Sequence, residues 1–300
     1  MSLPIPPDVK TQETPGDEEV VTHNPWRQLS QFTDARIGLG RAGISLPTDE
    51  SLAFQLAHAR AQDAVHLPLE TERLIEELSS LEVLKGAPAI QRLHSRAEDR
   101  TCYLQRPDHG RRLDDASRET LTALKAEPTD LAIVIVDGLS SLAVQHNAAP
   151  FIEALLKILA EDAAPDVEHD GTQDDTSHRG WQLAPLTVVE QGRVAIGDEV
   201  GELLNARAVL VMVGERPGLS SPDSLGLYLT WQPHVGLTDA SRNCISNVRP
   251  AGLDFTLAGQ RLHYLLSEAR RLGLTGVGLK DRSQGAALEE GGGIQNFLLS

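Results

Sequence analysis

The sequence predicts an α/β fold: a mostly parallel sheet with helices on both faces, preceded by a small helical N-terminal region. Two apolar runs carry this prediction, LAIVIV at 131–136 and AVLVMV at 208–213. Both are short, rich in β-branched residues and bounded by turn signals, as expected of strands buried on both faces. Helical spacing alternates with the strand signals, which implies crossover connections and parallel pairing. The length also permits it, since a chain of 300 residues buries about three quarters of its extended surface and needs no disulfides to make a core.

Residues 1–23 are rich in Pro, Glu, Asp and Thr and poor in large apolar groups, so they read as a mobile tail. Pro47-Thr48-Asp49-Glu50 then marks a helix start, with Thr48 as N-cap and acids in the first turn. Leu52, Leu56 and Ala59 follow on one face, and Leu74, Ile75 and Leu78 make a second short face. A helix over 113–126 precedes the first buried strand. A helix at 150–160 follows it, with Ile152, Leu155, Leu156 and Leu159 apolar. The stretch 161–180 is acidic and without apolar periodicity, and reads as a long surface insertion. Then come 186–189, a turn at Gln191-Gly192, 194–196, a short helix at 198–205 and the second buried strand. Leu225–Trp231 and 244–248 are further strand candidates. Phe255–Leu272 is the clearest helix, with Ala258, Leu262, Leu265, Ala269 and Leu272 aligned and Gly273 placed to cap it. Residues 282–300 read as a second flexible tail. The division expected is therefore 1–23 tail, 24–100 helical region, 101–281 α/β domain and 282–300 tail.

Charge and composition exclude several functions. A formal net charge of −16 repels phosphate backbones and argues against nucleic acid as the main ligand. No apolar run reaches the ~20 residues of a membrane span, and the N-terminus lacks the basic and apolar segments of a secretory signal. The two cysteines, Cys102 and Cys244, are far apart with no CxxC, which suits a reducing cytosol and excludes a disulfide scaffold.

Ligands of parallel sheets bind beyond the carboxyl ends of the strands. Two strand exits are rich in small and polar residues: Asp137-Gly138-Leu139-Ser140-Ser141, and Gly214-Glu215-Arg216-Pro217-Gly218. Their glycines let backbone approach a ligand, and Asp137, Glu215 and Arg216 supply polar handles. Each is also compatible with an ordinary turn and helix cap. Gly38-Leu39-Gly40-Arg41-Ala42-Gly43 matches GxGxxG, but neither a strand before it nor a helix at Gly43 is indicated, so a packed glycine turn is the expectation. His169 and His178 stand in the acidic insertion without recurrent ligand spacing, and no metal site is expected. Cys244, in a short strand, reads as a buried, inert thiol. No HExxH, GxSxG or Walker loop occurs.

Several segments together resemble the small subunit of ethanolamine ammonia-lyase. They are Asn24-Pro25-Trp26, Arg36–Gly43 in full (RIGLGRAG), YLQRPDHGRRL from Tyr103, IVDGLSS from Ile135, GRVAIGDEVGELL from Gly192, VGERPGL from Val213 and RNCISNVRPAG from Arg242. Their order is that family's order, and the resemblance spans about residues 24–280. GERPGL with the downstream NCISN is the most diagnostic pair.

The resemblance implies a bacterial adenosylcobalamin enzyme that converts ethanolamine to acetaldehyde and ammonia. It implies a catalytic large subunit built as a (β/α)8 barrel, with no catalytic residue in this chain. The small subunit is implied to carry a Rossmann-like domain and a small helical N-terminal domain, and to help hold cobalamin at the subunit interface of a hetero-oligomer. The cofactor's own dimethylbenzimidazole is implied to stay on cobalt, consistent with the absence of an Asp-x-His-x-x-Gly motif here. Three cobalamin-contact positions carry over on motif matches: Val194, Glu215 and Cys244. A cytoplasmic location, inside an ethanolamine-utilisation microcompartment, is also implied. A stand-alone nicotinamide-dependent oxidoreductase and a non-catalytic interaction module are the alternatives.

Overall fold

The computed structural model describes residues 20–162 and 180–283. Most of the two tails and of the acidic insertion, with His169 and His178, lies outside the described residues. The chain divides into two compact units, Met1–His58 and Ala59–Ser300.

In the first unit, Asn24 caps a 3-10 turn at Pro25–Phe32 through its side chain, which accepts from the Trp26 amide. The GxGxxG segment is a glycine turn, with positive φ at Gly38, Gly40 and Gly43. A Cβ on Gly38 would stand 2.6 Å from the Arg27 amide nitrogen, so close packing is what this glycine serves. Helix α1 (Thr48–His66) begins one residue earlier than the Thr48 cap assignment implies, with the Ser51 amide bonded to the Pro47 carbonyl. Its expected apolar face is not buried: Leu52 is 59% exposed and Leu56 51%.

The second unit is built on a six-stranded sheet in the order β1-β3-β2-β4-β5-β6. The strands are β1 (Gln91–His94), β2 (Thr129–Val136), β3 (Thr187–Glu190), β4 (Ala206–Gly214), β5 (Leu225–Trp231) and β6 (Arg242–Val248). Strands β1, β3, β2 and β4 run parallel, while β4/β5 and β5/β6 pair antiparallel. The mostly parallel sheet expected from the sequence is present, and β1 is a strand that the helical reading of residues 24–100 did not anticipate. The 194–196 segment is not a strand. Gln191 turns the chain at φ 55°, and Val194 and Ala195 lead directly into α6 (Ile196–Leu203).

Period-two alternation divides the core between the two faces of the sheet. Leu131, Ile133 and Ile135 face α5 (Ser141–Asp162), α7 (Phe255–Leu272) and α2 (Thr71–Ser79). Ala132, Val134 and Val136 face α4 (Asp115–Ala123) and α6. Helix α3 (Arg100–Gln105) is short and is capped by Asp99. Helix α7 ends as expected, with Gly273 at φ 69° donating to the Ala269 carbonyl. Helix α5 starts nine residues before the expected Pro150 and runs through it. The Ser140 hydroxyl caps its first turn, accepting from the Ala143 amide at 3.1 Å. Phe151, Ile152 and Leu155 are fully buried beyond the proline, and this packing outweighs the cost of a proline inside a helix.

Two carboxylates respond to acid in opposite senses. Glu199, in the first turn of α6, accepts from Arg112 at 2.9 and 3.0 Å, from Arg118 at 3.0 Å and from the Leu113 amide at 2.9 Å. Burial pushes its pKa up, but these donors prevail and hold it at about 2, below its ordinary 4.5. The stability it contributes is therefore present above pH 4.5 and lost as pH falls toward 2. Asp137 is pushed up from 3.8 to about 6 by burial, so its contribution is present below 3.8 and lost as pH rises through 6. We expect the melting temperature of the wild-type chain to fall from pH 4.5 to pH 2.5, and Glu199→Gln to flatten that fall. Parallel slopes in thermal melts of the two proteins would refute the assignment.

Candidate functional site

The site lies where the order of strands reverses, as in other open parallel sheets. Chain order places β3 on one side of β2 and β4 on the other, so the exits of β2 and β4 are neighbours. The Leu139 amide donates to the Gly214 carbonyl at 2.8 Å and ties the two exits together. Asp137 ties in the exit of β3: its carboxylate accepts from the amides of Gly138 at 2.9 Å, Gln191 at 3.0 Å and Gly192 at 3.1 Å. Arg100 approaches it to 3.7 Å. Asp137 is thus a buried strut beneath the site, not the exposed polar handle its sequence position suggested.

A cleft of about 370 Å³ opens above this junction, lined by residues that include Tyr103, Leu139, Val194, Gly214, Glu215 and Tyr228. Two of the three expected cofactor contacts, Val194 and Glu215, therefore share one cleft. Glu215 is held at the β4 exit: its amide donates to Ser224 O at 2.9 Å. Its Oε2 accepts from the Ser224 hydroxyl and from the Asn247 amide. Cys244 is not among the lining residues, but it pairs across β5/β6 with Tyr228, which is. Cys244 is exposed, which corrects the buried-thiol expectation. It sits on the sheet's edge strand, where alternate side chains have no covering layer. Desolvation of its thiol by its neighbours raises its pKa, as does Glu215, against the hydrogen bond with Tyr228. Burial, and next the Cys244 and Glu215 charges, push the Tyr228 phenol well above its ordinary range. Neither group is ionised near neutral pH, so the Tyr228–Cys244 edge presents a neutral, soft surface.

The sequence reading missed Tyr103, Arg193 and Tyr228 as lining residues. Tyr103 and Arg193 fall inside quoted motifs, but nothing in their local pattern distinguishes a lining residue from an ordinary one. Among the described residues no group of three or more His, Cys, Asp and Glu is arranged to hold a metal ion, and no helix is long and apolar enough to cross a membrane.

A mostly parallel sheet covered by helices, with a glycine-edged cleft at its strand ends, defines a protein of the α/β class. Its sequence matches the family model for ethanolamine ammonia-lyase light chain (EutC) over residues 23–280. It is 52% identical over 287 residues to the ethanolamine ammonia-lyase small subunit of Azotobacter vinelandii, covering 94% of this chain and 98% of that one. It is 51% identical over 281 residues to the same subunit of Pseudomonas aeruginosa, covering 92% and 95%. For that of Ralstonia nicotianae the identity is 49% over 292 residues, covering 96% and 99%. The chain belongs to the ethanolamine ammonia-lyase light chain family, the small-subunit family of a heteromeric lyase. That membership leaves the nicotinamide oxidoreductase and the interaction module without support.

Proposed function

We propose that this chain forms one wall of an adenosylcobalamin site in an ethanolamine ammonia-lyase, the other wall being a (β/α)8 large subunit that carries the substrate. The observation that carries the reading is the meeting of Val194 and Glu215 in one cleft, with Cys244 beside its Tyr228 edge. The residues suit a corrin edged with amides. Val194 and Leu139 offer apolar surface, Glu215 accepts amide N–H bonds, and Tyr228 with Cys244 supplies a soft, uncharged edge. The glycines at 138 and 214 let the exits of β2 and β4 close together, which forms the floor on which such a ligand would rest. The cleft is open and much smaller than such a cofactor, which supports a site completed by a second subunit.

Adenosylcobalamin, when bound, supplies the radical chemistry that breaks the carbon–nitrogen bond of ethanolamine, giving acetaldehyde and ammonia. This chain's residues bind and orient its rim and help exclude water from the interface. The implied cytoplasmic setting, within a microcompartment, belongs to the same reading.

The test uses the assembled two-subunit complex, checked by gel filtration, with cobalamin content read by absorbance. Val194→Trp fills space the ligand needs, and a close-packed site absorbs such bulk poorly. It is expected to reduce occupancy about tenfold, with Val194→Ala costing ~1 kcal/mol or less of contact. Equal occupancy in both variants would place the cofactor elsewhere.

A further inference from the structure

The charge of the cleft runs against that of the chain. The protein carries a formal net charge of −16, yet the cleft is lined by two guanidinium groups, Arg193 and Arg216, and one carboxylate, Glu215. That carboxylate is engaged by Ser224 and Asn247. Among the described residues neither arginine has a carboxylate within ion-pair distance. Arg112, Arg118, Arg242 and Arg249 of the same unit, by contrast, are each paired with a carboxylate.

Arg193 is also held in place before any ligand arrives. Its Nη2 donates to the Tyr103 carbonyl at 2.9 Å, and its guanidinium lies 4.5 Å from the centroid of the Tyr103 ring. Arg100 lies 4.6 Å from the same ring and is fixed in turn by the carbonyls of Val65 at 2.6 Å and Gly138 at 2.8 Å. The Arg193 amide donates to Gly110 O at 2.7 Å. A Cβ on Gly110 would stand 3.1 Å from Arg193 Cγ, so the missing side chain leaves room for the arginine stem. Clamping removes rotamer entropy that a free arginine loses on binding. A preorganised guanidinium is the side chain best matched to the oxygens of a phosphate.

We propose that Arg193 and Arg216 form an anion-recognition site for a phosphate ester at the cleft, with Tyr103 and Arg100 as positioning residues for Arg193. Resting on the reading above, the ester is the phosphodiester in the nucleotide arm of cobalamin. Val194, Glu215 and the Tyr228–Cys244 edge meet the corrin, and the arginines meet its anionic arm.

The experiment compares two ligands on the assembled two-subunit complex: cobalamin, and cobinamide, which has the corrin but lacks the phosphodiester and base. Dissociation constants are read by spectral titration and assembly by gel filtration. Arg193→Met and Arg216→Met are each expected to weaken cobalamin about tenfold, as for a lost charged hydrogen bond, and to leave cobinamide within about twofold. Arg216 is exposed, so its substitution spares the core and remains informative if Arg193→Met assembles poorly. Tyr103→Phe keeps the ring and is expected to bind cobalamin as the wild type does, whereas Tyr103→Leu is expected to follow Arg193→Met. Equal weakening of both ligands, or no weakening, overturns the anion site while leaving the cofactor reading intact. Loss of assembly in Arg216→Met would assign the arginines to a carboxylate of the partner subunit and also overturn it. Failure of the wild-type complex to bind either corrinoid would refute the cofactor reading itself, and the anion site with it.

Discussion

Replacing Asp198 by asparagine is expected to destabilise the fold by ~3 kcal/mol, the cost of leaving a buried guanidinium without its buried counter-ion. The remaining carboxylate, Asp239 at 3.6 Å, is fully exposed and screened by solvent. Arg242 of β6 donates from Nη1 to Asp198 Oδ1 at 2.6 Å and from Nη2 to Oδ2 at 2.7 Å. The two side chains are 2% and 3% exposed. Nη1 also donates to the Thr230 hydroxyl on β5 at 3.0 Å. The pair therefore ties the first turn of α6 to the antiparallel half of the sheet. Asparagine keeps the shape but not the charge, and its amide group turns donors toward donors. A guanidinium cannot shed its proton to escape. For a unit of this size such a loss lowers the melting temperature by roughly 10 °C. Removing both partners, as Asp198→Leu with Arg242→Met, is expected to be milder, because no charge is then stranded. Thermal melts of the single and double variants decide the matter, and a single variant within about 1 kcal/mol of wild type would refute the argument.

The second large effect is expected at Gly214, where β4 leaves the sheet. A Cβ there would lie 2.0 Å from the Ser140 carbonyl oxygen and 2.6 Å from that of Asp137. Both are backbone atoms, so no side chain can rotate away. Gly138 faces the same contact from the other strand, with φ 60° and a Cβ position 2.3 Å from Gly214 O. Gly214→Ala must therefore push the exits of β2 and β4 apart and break the Leu139–Gly214 hydrogen bond. Overpacking of this kind costs about 3 kcal/mol or more. It is expected to abolish cobalamin retention by the assembled complex even below the variant's melting temperature. Circular dichroism for folding and absorbance for cobalamin test the two parts separately. Wild-type retention in a folded Gly214→Ala complex would show that the exits need not touch for the cleft to bind.

What the sequence determined by itself is whatever depends on neighbours along the chain. Helix α7 was legible because its signals are local, apolar spacing and a glycine at position 273, and the structure adds Asp254 as its N-cap and puts Gly273 in the left-handed region. Strands β2 and β4 were legible because burial on both faces leaves a continuous apolar run. The two strand exits were legible as candidate sites because small and polar residues follow such runs by rule. Tertiary structure alone decided the rest. Pro150 reads as a helix start locally, yet buried packing on both sides of it carries α5 through. β1 has only four residues and one buried side chain, and becomes a strand by pairing with β3. Leu52 and Leu56 have the spacing of a buried face but are exposed, because periodicity records an apolar face and not what covers it. The cleft follows the same division: its floor was readable at Gly138 and Gly214, but its walls come from Tyr103, Arg193 and Tyr228, residues 90 and 35 positions apart in the chain. Their meeting is set by strand order and register, which are long-range pairings that no local pattern encodes.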